Sequence, residues 1–400
     1  MKIKLDRNKF KYYFYIIPFL HPRGIESFGF MKTFFTAWLY VSIAFILLDF
    51  VHSITKKKKM AYVYIGAVLL YHIVMLLITF IVRRSFSDAL QKIFAAPMLC
   101  ILCAIYLDKK PRDFISAINN ILILLFLLSL TVFSPLLWGD VFNPIKTHYT
   151  FLGHIQISAQ LGIVGLFLAY VENNYWPKKS KRKYVCQVAL SLVIMAFSFT
   201  SASYIALILI AVFWLLDRTR LRKLFVQPGK TYLIVYLIIN ILLFWYSLNV
   251  SRSLKIGPFT LNGRGFIWKE ALESFFDSPI YGYGVHGVMI KTFWSSWTGS
   301  GEGMNYMHNQ ILQVLNDGGL ILLIPFLLML YYMMQNILKV RDTHMKFWST
   351  SYILTVLMIM VFESAMNYYY IFILLSVATL LPSIETKIKN QATITRMAGR

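Results

Sequence analysis

Long apolar stretches separated by short basic segments dominate the pattern of this chain. An apolar run of roughly 18 or more residues is long enough to cross a bilayer as a helix. Within lipid, a helix also satisfies its own backbone polar groups. The pattern therefore predicts an all-α polytopic integral membrane protein, with residues 1–400 forming a single transmembrane domain. The predicted spans lie near residues 34–51, 60–82, 89–107, 114–133, 155–172, 184–200, 203–217, 231–250, 310–335, 347–363 and 366–382.

The basic segments between these runs predict the orientation, because Lys and Arg concentrate on the cytoplasmic side of a membrane. They lie at residues 56–59, 108–113, 178–183, 218–223 and 339–346 and in the C-terminal tail. Eleven crossings would leave the basic N-terminus outside. An extra crossing in "YYFYIIPFLHPRGIESFGF" (12–30) corrects this, although Pro18, Pro22 and Arg23 interrupt it and it could instead lie at the interface. We expect 11–12 transmembrane helices and favour twelve, with both termini cytoplasmic.

Composition agrees with a membrane protein. Hydrophobic residues make up 58% of the chain and charged residues only 14%, against about a quarter in soluble domains. The net charge of +23 follows from the basic loops and does not indicate nucleic acid. Cys100, Cys103 and Cys186 lie in or beside apolar runs, so we interpret "CILC" as packing and not as a zinc or redox site.

This topology leaves one large extracytoplasmic loop, residues 251–309, and a loop of that length in a compact bundle is usually functional. An amphipathic helix is predicted in it, with Trp268, Leu272 and Phe275 among the residues of its apolar face and Pro279 beyond its end. Arg264 lies between two glycines at the start of this helix, where the backbone can approach an anion closely. Its planar guanidinium suits phosphate, although an Arg that merely anchors to lipid headgroups is the plainer alternative.

The loop ends with His308 and Asn309, where the chain re-enters the membrane. Free imidazole has a pKa of about 6.5, which suits a base at neutral pH. No HExxH motif, paired-carboxylate cluster or P-loop is present, so the sequence predicts no metal and no cofactor. Gly282 and Gly284, in "YGYG", are predicted to shape a turn beside the substrate site.

Three motifs in this order resemble the O-antigen polymerase and O-antigen ligase superfamily (Wzy-type). They are "GRGFIWKEAL" (263–272), "DSPIYGYG" (277–284) and "HNQILQVLNDGG" (308–319), with a weaker "YTFLGHIQISAQLG" (149–162). The resemblance implies a metal-independent, GT-C-like membrane glycosyltransferase. Such enzymes transfer a glycan from undecaprenyl diphosphate to an acceptor hydroxyl at the outer face of the membrane.

Carried onto this chain, the resemblance implies that Arg264 holds the diphosphate leaving group and that His308 is the base or positions the acceptor. Trp268, Gly282, Gly284 and Asn309 are the expected substrate-binding residues. Many relatives have an Arg in a turn between two earlier helices, where this chain has "FTSASYIAL" (199–207). A second phosphate-binding cation must therefore come from elsewhere, and Arg252 and Lys255 are candidates by position.

Three functions remain open from the sequence. The first is a polymerase that joins lipid-linked repeat units into capsule, exopolysaccharide or O-antigen, and it is favoured. The second is a ligase that transfers a finished glycan to a lipid or protein. The third is a flippase for lipid-linked glycans, which the scarcity of charge within the spans disfavours. The expected location is the bacterial cytoplasmic (inner) membrane, with lipid-linked oligosaccharide, membrane lipids, a flippase and a chain-length regulator as partners.

Overall fold

The structure is a computed structural model, and it describes residues 7–56, 61–83, 90–134, 137, 149–176, 181–249, 255–256, 259–260, 264–290 and 303–398. Helices account for most of these residues. In chain order they are α1 (Arg7–Leu20), α2 (Gly29–Thr55), α3 (Tyr62–Arg83), α4 (Leu90–Lys109), α5 (Pro111–Leu130), α6 (Ile155–Tyr175), α7 (Lys181–Ala196), α8 (Ser201–Asp217), α9 (Gly229–Asn249), α10 (Arg264–Asp277), α11 (Gln310–Ile337), α12 (Thr343–Phe362) and α13 (Ile371–Ala398).

Short elements fill some of the connections. In the part of the chain that the structure describes, three are 3₁₀ helices, at Arg23–Ser27, Arg220–Phe225 and Ala365–Asn367. Two antiparallel hairpins pair β1 (Tyr149–Thr150) with β2 (Gly153–His154) and β3 (Lys255–Ile256) with β4 (Phe259–Thr260).

Among the described residues, eight helices are long and apolar enough to span a membrane, and α8 is a shorter apolar helix. The structure thus confirms an all-α polytopic membrane protein, and each predicted span coincides with a helix. Twelve crossings and the extent of the large loop stay predictions. The eight candidate spans are Gly29–Thr55, Tyr62–Arg83, Pro111–Leu130, Ile155–Tyr175, Gly229–Asn249, Gln310–Ile337, Thr343–Phe362 and Ile371–Asn390.

Ion pairs join the helix ends that the sequence assigns to the cytoplasm. Lys11 lies 2.8 Å from Asp49, between α1 and α2. Lys387 lies 2.7 Å from Asp108, between α13 and α4. Because each pair brings together two ends predicted to be cytoplasmic, the packing agrees with the alternation of crossings along the chain.

α1 packs against α5 and against the segment before α13. Tyr12 packs edge-on against Phe114 at the start of α5, with ring centroids 5.8 Å apart. Phe19 packs against Tyr369, just before α13, at 6.2 Å. Fourteen residues of helix span about 21 Å, short of a full bilayer core of about 30 Å. α1 is not among the described helices that are long and apolar enough to span a membrane, and the short crossing at the N-terminus stays a prediction.

α11 is broken one-third of the way along its length, and a turn from the outer loop fills the break. Gly318 and Gly319 have non-helical backbone angles, so the amides of the next residues lose their helical acceptors. The amide of Leu320 instead donates to Pro279 O at 2.9 Å, and Tyr283 N donates to Asn316 O at 2.8 Å. Freed backbone groups within a membrane need such partners, so the turn and the broken helix depend on each other.

Glycine is required where these two segments touch. Gly319 has a φ of +60°, and a Cβ there would lie 2.2 Å from Ile280 O. Gly282 has a φ of +59°, and its Cβ would lie 2.6 Å from Asn316 O. Any side chain would push the turn away from the helix.

We predict that Gly319→Ala destabilises the protein by more than about 3 kcal/mol, because a backbone clash is added to a strained φ. Thermal unfolding of the purified protein in detergent measures this. Gly66→Ala is the matched control, since Gly66 lies in α3 and a Cβ there would have no neighbour within 4 Å. An unfolding temperature for Gly319→Ala equal to that of Gly66→Ala would contradict the proposed dependence.

A labelling experiment tests the orientation. With Cys186→Ser as background, Met289→Cys should react with an impermeant thiol reagent in intact cells once any outer membrane is permeabilised. Arg112→Cys, at an exposed position in a predicted cytoplasmic segment, should react only after lysis. The remaining cysteines, Cys100 and Cys103, are buried and should not react with the reagent. The reverse labelling pattern would overturn the orientation.

Candidate active site

A buried carboxylate, Glu363, lies at the centre of the candidate site. It follows the last residue of α12, and only 3% of its side chain is exposed. Three donors from other elements reach it: Arg264 Nη2, His308 Nδ1 at 2.9 Å, and Gln156 Nε2 at 2.6 Å. Because a buried charge is costly unless it is paired and hydrogen-bonded, this carboxylate fixes the positions of all three side chains.

Arg264 is held in place by the amphipathic helix α10, of which it is the first residue. The helix buries the face that carries Trp268 and Leu272, and it exposes Glu273 and Asp277, as the sequence predicts. Arg264 is itself only 8% exposed. One of its guanidinium nitrogens faces Glu363, which leaves further N–H donors at the N-terminus of the helix, where anions are favoured.

His308 is presented by a strained backbone. Its φ is +48°, a left-handed conformation that a residue other than glycine rarely adopts. Trp268 Nε1 donates to His308 O at 3.1 Å and holds this conformation. The ring of Tyr306 packs edge-on against the imidazole at 4.7 Å. Strain of about 1–3 kcal/mol is typical of functional positions, where the surrounding structure enforces it.

Asn309 anchors the start of α11. Its side chain caps the helix by accepting from Leu312 N at 3.0 Å. The same side chain donates to Asn240 Oδ1 at 2.6 Å and to Val361 O at 2.9 Å, and it is fully buried. Asn309 therefore ties α11 to α9 and α12 and sets the position of His308.

The electrostatics make Glu363 an anion at neutral pH. Glu363 pairs with the guanidinium of Arg264 and accepts a hydrogen bond from His308 Nδ1, and both contacts favour the charged form of the carboxylate. Burial and the neighbouring Glu363 charge raise the pKa of the Tyr306 phenol, which therefore stays protonated. With Nδ1 of His308 directed at the carboxylate, the neutral imidazole carries its proton there, and Nε2 is the basic nitrogen.

Two predicted catalytic residues, Arg264 and His308, are thus brought together on one carboxylate. Trp268 is 0% exposed, and its indole donates to His308 O. Asn309 is likewise buried, and the substrate-binding roles of both residues stay predictions. Gly282 and Gly284 form a turn with positive φ that packs on α11 and α3.

The remaining predicted residues lie partly or wholly outside the described chain. Arg252 is outside the described residues, and of Lys255 only the backbone, in β3, is described. Their roles as phosphate-binding cations stay predictions.

Sequence reasoning missed the roles of Glu363, Gln156 and Tyr306. The one available signal was a lone acidic residue at the outer end of an otherwise apolar span, since such residues are costly in a membrane and tend to be functional. Gln156 gave no signal of its own, because it lies about 100 residues from Arg264 and 200 from Glu363 in the chain.

One comparison with known proteins gives a match, over part of the chain. Residues 187–327 match the family described as O-antigen ligase. The matched range contains Arg264, the glycine turn and His308, but not Glu363 or Gln156. No curated protein and no solved structure gives a significant match. The match over residues 187–327 supports the resemblance of this chain to the O-antigen polymerase and O-antigen ligase superfamily.

Proposed function

We propose that the protein is a metal-independent polysaccharide polymerase of the bacterial cytoplasmic membrane. It transfers a glycan from undecaprenyl diphosphate to a hydroxyl of another lipid-linked repeat unit at the outer face. The observation that carries the proposal is the buried carboxylate of Glu363, which contacts both Arg264 and Nδ1 of His308. This arrangement provides a basic nitrogen and a guanidinium side by side, which are the two groups that such a transfer needs.

The transfer follows from these positions. The acceptor hydroxyl gives its proton to Nε2 of His308 as its oxygen bonds to the anomeric carbon. The bond from that carbon to the diphosphate oxygen breaks, and its electron pair leaves with the diphosphate. The N–H groups of Arg264 that do not face Glu363 stabilise the developing negative charge. The proton on His308 then passes to solvent, and undecaprenyl diphosphate is released.

Glu363 acts through the other two residues. Its carboxylate orients the imidazole and stabilises the imidazolium that forms, as the buried acid of a catalytic triad does. It also holds the guanidinium of Arg264 in a fixed direction before the substrate arrives. Preorganised donors of this kind need no rearrangement in the transition state.

A ligase is the second candidate, because the matched family is described as O-antigen ligase. The same leaving group and base would serve it. The product separates the two functions: a polymerase makes a ladder of lipid-linked chains from one substrate, whereas a ligase moves a preformed chain to another acceptor in a single step.

We predict that Glu363→Gln lowers kcat about 10²–10⁴-fold, because the amide cannot stabilise the imidazolium. The measurement is polymer formation from lipid-linked repeat units extracted from the producing cells, at matched protein level. His308→Gln should show a similar loss and accumulate unpolymerised substrate.

Glu172→Gln is the control for Glu363→Gln. Glu172 is equally buried and also pairs with a cation, Lys183 at 3.4 Å, but it lies at the opposite end of the bundle. Both variants should lose stability, since each leaves a cation without its partner. Equal rates for the two variants would show that Glu363 is structural only.

We also predict that Arg264→Lys raises the donor KM or lowers kcat at least tenfold while the protein still inserts. Lysine keeps the charge but loses the planar fork of donors. Arg222→Lys at the opposite end should polymerise normally. Wild-type polymer length from Arg264→Lys would mean that Arg264 only anchors α10.

A further inference from the structure

A second guanidinium, that of Arg23, lies at the same end of the bundle as the candidate active site. The 3₁₀ helix Arg23–Ser27 joins α1 to α2 and packs on the hairpin that precedes α6. Arg23 N donates to Leu152 O at 3.2 Å, and Gly24 N donates to Phe151 O at 2.9 Å. A Cβ on Gly24 would lie 2.3 Å from Thr150 O, so the backbone of this segment is held tightly against the hairpin.

The side-chain N–H donors of Arg23 make only long contacts among the described residues. Its Nε and Nη2 reach the phenol oxygens of Tyr370 and Tyr369, each at 3.4 Å, and Nε lies 3.9 Å from Glu26. Glu26 has a closer partner in His21 Nε2, at 2.7 Å. A guanidinium carries five N–H donors, and these contacts among the described residues are long. With 24% of its side chain exposed, Arg23 is oriented by its neighbours and can still bind an anion.

Partly exposed aromatic rings connect Arg23 to the catalytic histidine. The ring centroids of His308 and Tyr306 are 4.7 Å apart. Those of Tyr306 and Tyr368 are 6.3 Å apart, and those of Tyr368 and His154 are 6.4 Å apart. Arg23 contacts the chain neighbours of the last two rings, because it touches Tyr369 and lies against Gly153. Aromatic faces attract the polarised C–H groups of a sugar ring, so the rings form a surface suited to a short glycan.

We propose that Arg23 binds the diphosphate of the second, acceptor lipid-linked glycan. This proposal rests on the polymerase function proposed above. A polymerase binds two lipid-linked glycans at once, and the acceptor presents a hydroxyl to His308 while its own diphosphate lies at the far end of its repeat unit. The structure places a guanidinium at the far end of the aromatic surface, which is where that diphosphate would lie.

Arg23 does not duplicate the proposed role of Arg264. Arg264 already shares its charge with Glu363, so it can neutralise at most part of one diphosphate. Arg23 is tied to a different carboxylate only weakly, at 3.9 Å. The two arginines thus serve two different anions, the leaving group at Arg264 and the acceptor's carrier at Arg23.

Native mass spectrometry of the full-length protein in lipid nanodiscs tests this, with undecaprenyl diphosphate as the probe. The wild type should bind two molecules. Arg23→Gln should bind one molecule with wild-type affinity and the second molecule at least tenfold more weakly. Arg264→Gln should weaken binding of the first molecule and leave the second unchanged. Arg222→Gln, which removes an arginine at the opposite end, should bind two as the wild type does. Arg23→Lys should lower the affinity for the second molecule by an intermediate factor. This variant decides the test if Arg23→Gln fails to fold.

Competition with phosphatidylglycerol identifies the source of the phosphate. If excess phosphatidylglycerol displaces the second molecule as effectively as undecaprenyl diphosphate itself, Arg23 is a headgroup site and the proposal is overturned. Two tightly bound molecules in Arg23→Gln would overturn it as well, while the role of Arg264 would stand. Loss of the second molecule in Arg23→Gln with no change in Arg264→Gln would instead refute the proposed role of Arg264.

Discussion

The pairing of one buried carboxylate is the interaction on which the rest of the site depends. Glu363 has lost its water, so its charge is tolerated only because donors from α6, α10 and the segment before α11 converge on it. The same requirement works in the other direction, because Arg264 is also buried and needs an anion. A single electrostatic constraint therefore fixes four chain segments relative to one another, and it places a base beside a guanidinium.

Backbone hydrogen bonds between the glycine turn and the break in α11 support this cluster. The break in α11 and the turn that fills it exchange the backbone hydrogen bonds that each would otherwise lack. This places the turn at the depth of the break in α11. α10 packs against α11, with Asn316 Nδ2 donating to Ala271 O at 3.0 Å. The contact between α10 and α11 therefore sets the position of Arg264.

The division of charge between the two ends of the bundle follows the same physics. Exposed ion pairs, such as Lys11 with Asp49, lie where the basic loops lie, and exposed pairs of this kind contribute little stability. At the other end, α10 also carries exposed charges, such as Lys269 and Glu273, but Arg264 and Glu363 are buried and paired with each other. Buried and paired charge within a membrane bundle is typical of a functional site.

The sequence by itself determined the class of fold, the helices and the order of the motifs. Apolar length decides where a chain can cross lipid, and this depends on neighbouring residues only. It also pointed to Arg264 and His308, because their motifs are local. Only the tertiary structure decided that both residues contact Glu363, that Trp268 is buried under His308, and that Arg23 lies at the same face. Those facts depend on contacts between residues 40 to more than 300 positions apart, which hydrophobic periodicity does not encode.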